Sequence, residues 1–103
     1  MTTQTQLIKQ GEQAVKDVFS WARFVAHSEF LWQDTTVVTD AEAWQRCWFE
    51  MEIINGVALA QWEEQGRPDD WTRQWRDGYQ QEATELLMEL LALVAGSEGP
   101  SAA

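Results

Sequence analysis

Apolar positions along the chain fall at helical spacing, and their rhythm predicts three helices. Leu7, Gly11, Ala14, Val18, Trp21 and Val25 recur at four-three-four-three-four intervals, the seam of a helix packed in coiled-coil fashion. Val15, Phe19, Ala22, Phe24 and Ala26 crowd beside that seam. A first helix is expected from about Thr5 to His27 and on to Trp32. It carries more apolar surface than one neighbouring helix covers.

Gln33–Val38 breaks the rhythm with β-branched residues and reads as a connector. Thr39-Asp40-Ala41-Glu42 then matches a capping box, predicting a second helix over 40–65 with a stripe of Trp44, Cys47, Trp48, Met51, Ile54, Ala58 and Trp62. Gly56 inside it costs about 1 kcal/mol relative to alanine, which suggests a close helix crossing there. Gly66-Arg67-Pro68 ends this helix, and Asp69 or Asp70 caps a third over 69–95. Its stripe is Trp71, Trp75, Tyr79, Ala83, Leu86, Leu87, Leu90, Leu91 and Val94. The short turn implies an antiparallel hairpin, and the first helix completes an all-α three-helix bundle in one domain, 1–95. Residues 96–103 read as a flexible tail. The surplus apolar faces point to a homodimer.

Composition sharpens that picture. Seven of the 103 residues are tryptophan, and the formal net charge is −10. Each indole side chain buries roughly 150–250 Å², so so small an interior is expected to leave some of them facing a partner. Seven basic residues against seventeen acidic ones speak against direct binding to nucleic acid or anionic lipid, and favour a basic protein as partner. No positive, apolar leader opens the sequence, and no run reaches the roughly 18 apolar residues of a membrane span. Cys47 is the only cysteine, which excludes an internal disulfide and fits a reducing cytoplasm.

Candidate chemistry is sparse. Trp44 with Trp48, and Trp71 with Trp75, share helix faces at four-residue spacing, either as core or as an aromatic platform. Trp32, Trp62 and Trp71 are the expected partner anchors, with Glu82, Glu85 and Glu89 as the charged face. Arg67, Arg73 and Arg76 interleave with Asp69, Asp70 and Asp77 and read as local salt bridging. The lone histidine, His27, has Phe24 three residues before it, so the Glu-x-x-His pattern of a di-iron bundle is missing and no metal or cofactor is expected. Ser20, Ser28 and Cys47 lack the setting of a catalytic nucleophile, so no enzyme is expected.

The resulting expectation is a non-enzymatic protein-binding module: an inhibitor, adaptor or chaperone of a basic or nucleic-acid-handling protein, of the immunity or anti-defence type, with its acidic helix stripes either a mimic of nucleic-acid phosphates or a solvated outer face. Its composition is similar to that of immunity and anti-defence proteins, a likeness that transfers no residues. One alternative is a carrier holding an apolar ligand among Trp44, Trp48, Met51, Trp75 and Leu86. A structural assembly subunit is the other.

Overall fold

A computed structural model describes residues 4–94, in which five α-helices and one 3₁₀ turn follow one another. These are α1 (Gln4–Ala14), α2 (Val18–Ser28), the turn Leu31–Gln33, α3 (Ala41–Glu64), α4 (Thr72–Gly78) and α5 (Gln80–Leu91). The all-α class holds. The three-helix count does not: the expected first helix breaks before Val18 and stops at Ser28, short of Trp32. The expected third begins at Thr72, after Trp71 rather than an aspartate cap, is interrupted at Tyr79 and ends at Leu91. The predicted tail 96–103 lies outside the described residues.

The first interruption comes from Asp17. Its backbone is extended (φ −156°, ψ 168°), and its carboxylate accepts the Ser20 N–H at 2.7 Å. An extended residue cannot carry the helical ladder, and an aspartate there starts a new helix instead. The heptad hid this break because Ala14 and Val18, on either side of it, are both buried. The second interruption is a kink. Tyr79 departs from helical geometry (φ −136°, ψ −29°), yet its N–H still reaches the Trp75 carbonyl at 2.9 Å.

α3 matches the predicted second helix to within a residue at each end. Asp40, not Thr39, caps it, accepting the Ala43 N–H at 3.0 Å. Thr39 is drawn elsewhere: its N–H and its hydroxyl both donate to the Leu93 carbonyl, at 2.8 and 3.0 Å. With the Val38–Val94 bridge, this ties the connector to the chain just past α5. At the other end Arg67 N–H reaches the Trp62 carbonyl and Gly66 N–H the Glu63 carbonyl, both at 3.0 Å. Gly66 (φ +89°) supplies the left-handed turn that this Schellman closure needs.

α3 packs between α2 and α5, while α1 packs on α2 and Gly11 meets the Leu87 side chain of α5. A Cβ on Gly11 would stand 2.8 Å from Leu87 Cδ1, whereas one on Gly56 would meet nothing within 4 Å. The close crossing anticipated at Gly56 is therefore absent, and the glycine with a tight neighbour is Gly11, under Leu87.

The indoles explain how broken helices pack. Helix ends leave carbonyls without intrahelical partners, and inside a core each needs a donor. Trp75 Nε1 donates to the Val15 carbonyl, just past α1, at 2.9 Å, and Gln80 Nε2 joins it at 2.7 Å. Trp44 and Trp48 donate to Ser28 and Val25 in the last turn of α2, at 3.1 and 2.7 Å. Trp62 donates to the Pro68 carbonyl at 2.9 Å beyond α3. Trp21 and Trp75 also meet ring to ring at 5.9 Å.

Three substitutions check this account by urea denaturation. Trp75→Phe removes the indole donor and leaves part of a fully buried site empty, and is expected to cost about 2–3 kcal/mol. Gly56→Ala gains helix propensity in open space and is expected to stabilise by about 0.5–1 kcal/mol. Gly11→Ala drives a methyl against Leu87 and is expected to destabilise by about 1 kcal/mol.

Candidate docking face

The tryptophans are largely taken up by the protein itself. Trp21, Trp44, Trp71 and Trp75 are at most 2% exposed, and Trp32, Trp48 and Trp62 are half-buried. Of the expected anchors, Trp71 lies inside with its N–H on Gln65 Oε1 at 2.7 Å and its ring tilted over Tyr79. Trp62 stands edge-on to Phe19 at 5.1 Å. Trp32 sits on the 3₁₀ turn, packed against the core. The residues grouped as a carrier pocket serve the core: Trp44, Met51 and Trp75 are fully enclosed, Leu86 is buried, and Trp48 is half-buried.

The exposed apolar surface is elsewhere. Phe49 (60%), Ile53 (49%) and Val57 (54%) stand open to solvent along α3. Their four-residue spacing places them on one stripe, roughly opposite the buried Trp44, Met51 and Ala58. Gly56 and Ala60 are exposed alongside them. Sequence reasoning missed this stripe because the tryptophans drew attention to the other side of the same helix. The signal was present in the unbroken Phe49–Ile53–Val57 spacing.

Carboxylates border the stripe. Two grooves run along the α3–α5 seam, both lined in part by Glu50. Glu82 and Leu86 line the one beside Ile53 and Val57, and Glu89 the one beside Phe49. Arg46 is the one cation among their lining residues. Glu85 lies outside both grooves and accepts from Gln81 at 3.3 Å. The structure thus brings Glu82 and Glu89 together with Glu50 across the seam and leaves Glu85 on the outer face of α5.

Cys47 registers this negative field. Burial first, then the charges of Glu89 and Glu50, push its thiol up from 9.0 to about 11. The thiol donates to the Leu86 carbonyl at 3.3 Å. Among the described residues, no three His, Cys, Asp or Glu side chains are grouped so as to hold a metal ion. The arginine cluster makes exposed pairs: Arg67 with Glu63 at 3.0 Å, and Arg73 and Arg76 with Asp77, each at 3.8 Å. Such pairs add little stability. No helix among the described residues is long and apolar enough to cross a membrane.

Compared with protein-family models, curated proteins and solved structures, the chain matches none.

The state of Cys47 is open to direct measurement. Because its folded pKa is raised, the unfolded chain ionises first as pH climbs. Stability is therefore expected to fall between pH 9.0 and about 11, once other titrations are subtracted with a Cys47→Ala control. At neutral pH a thiol-directed reagent is expected to label the unfolded chain readily and the folded chain hardly at all.

Proposed function

We propose that this chain is a small acidic protein-binding module whose α3 face receives a basic amphipathic helix. In that role it serves as inhibitor, adaptor or chaperone of a basic or nucleic-acid-handling protein. The observation that carries this reading is the exposed Phe49–Ile53–Val57 stripe bordered by Glu50, Glu82 and Glu89. Phe49, Ile53, Gly56 and Ala60 also follow one another at four-three-four spacing. A partner helix laid along α3 would meet large residues at one end and small ones at the other, which lets its backbone approach.

Apolar contact would supply the affinity and the carboxylates the steering of a cationic partner. The net charge of −10 also disfavours a homodimer on this face, since it would bring two like-charged surfaces together. A basic helix meets no such opposition. A non-enzymatic role is supported by Cys47, the one thiol, which is buried and held protonated by its surroundings.

A synthetic helical peptide with lysine on one face and leucine on the other tests the reading by fluorescence anisotropy. Ile53→Asp is expected to weaken binding at least tenfold, about 1.4 kcal/mol, with little change in stability because Ile53 is half open to solvent. Replacing Glu50, Glu82 and Glu89 together by glutamine is expected to flatten the salt dependence. Undiminished binding by Ile53→Asp overturns the proposal. So does a wild-type dimer, seen by sedimentation, that this substitution dissolves.

A further inference from the structure

The distribution of the few cations points to a second site, between α1 and α2. α1 and α2 enclose a groove of about 490 Å³ lined by Lys9, Gln10, Gln13, Ala14, Ser20, Arg23, Phe24 and His27. That volume lies in the range of small-ligand sites. No acidic residue lines it, in a chain with seventeen acidic side chains and seven basic ones. Glu12, the one carboxylate of α1, is a one-turn neighbour of Lys9 but does not line the groove, and among the described residues no ion pair joins the two.

Arg23 has no acidic residue at helical spacing on α2: its one-turn neighbours are Phe19, Ser20, Ala26 and His27. The three ion pairs of the described residues engage Arg67, Arg73 and Arg76, leaving Lys9 and Arg23 without one. Beneath these heads the lining is apolar: the aliphatic stems of Lys9, Gln10, Gln13 and Arg23 stand over the nearly buried Phe24 and Ala14. Small side chains at Ala14 and Ser20 keep the groove open.

We propose that this groove binds a small amphipathic organic anion. Its acidic head lies between Lys9 and Arg23, within reach of the His27 ring, and its apolar body lies along the aliphatic stems over Phe24 and Ala14. The apolar part is required by the electrostatics. The whole molecule, at −10, repels a free anion, and local cations outweigh that field only within about a Debye length, roughly 8 Å. A bare inorganic anion has little else to hold it there. An anion with a hydrocarbon body gains contact with the apolar lining.

Octanoate is the probe, followed by two-dimensional NMR on the whole chain. Saturable shifts at Phe24 and His27, with Phe49 unmoved, are the expected result. Octanol and inorganic phosphate, the body and the head taken separately, are each expected to bind at least tenfold more weakly. The double substitution Lys9→Glu with Arg23→Glu is expected to weaken octanoate at least tenfold. Should that double variant unfold, Arg23→Gln alone is expected to weaken it measurably. No saturable shift by octanoate overturns the proposal, as does equal binding by octanol or by phosphate, or unchanged affinity in the folded variants.

Discussion

The architecture depends on hydrogen bonds from indole N–H groups to carbonyls at or near the ends of helices. A chain that breaks its helices creates orphaned carbonyls, and a small core has little water to offer them. Val15, Val25, Ser28 and Pro68 each receive an indole proton from a tryptophan elsewhere in the chain. Tryptophan suits this because one side chain brings both a large apolar body and a single directed donor. Trp44 and Trp48, one turn apart on α3, grip the last turn of α2 together and so fix how those helices meet. Trp75 does the same for α1, from sixty residues away.

This changes what a high tryptophan content signifies. Counted as apolar area alone, seven indoles look like more than the interior holds, and the excess seems to need a partner. Counted also as donors, most have work within the fold. The surplus that remains is other apolar surface, on Phe30 and Met88 and, as a continuous stripe, on Phe49, Ile53 and Val57 along the side of α3 that no helix of the described residues covers. A tryptophan could have stood there as easily. Without a carbonyl to meet, its donor would have had only water.

Charge is arranged with comparable asymmetry. Glu50, Glu82 and Glu89 gather along the α3–α5 seam, where their field reaches the Cys47 thiol and favours its neutral form. Lys9 and Arg23 gather in the α1–α2 groove, from whose lining carboxylates are absent. A uniformly acidic coat would serve solubility alone. Two grooves of opposite local charge therefore stand on one acidic molecule.

Local rules in the sequence were enough to determine the helical class, the extent of α3, its glycine-terminated end and the connector before it. Each of these follows from interactions among residues a few positions apart: spacing of apolar side chains, a left-handed glycine, an aspartate cap. The break at Asp17 was equally local, but the continuous heptad outweighed one capping residue. Other features needed the tertiary fold. Thr39 looked like a cap and instead bonds Leu93, and the glycine with a tight neighbour is Gly11, under Leu87, rather than Gly56. Which apolar stripe of α3 faces solvent was likewise undecided in the sequence, because that helix is apolar on both sides. Only the placement of helix ends against particular indoles determines which side turns inward, and those contacts join residues far apart along the chain.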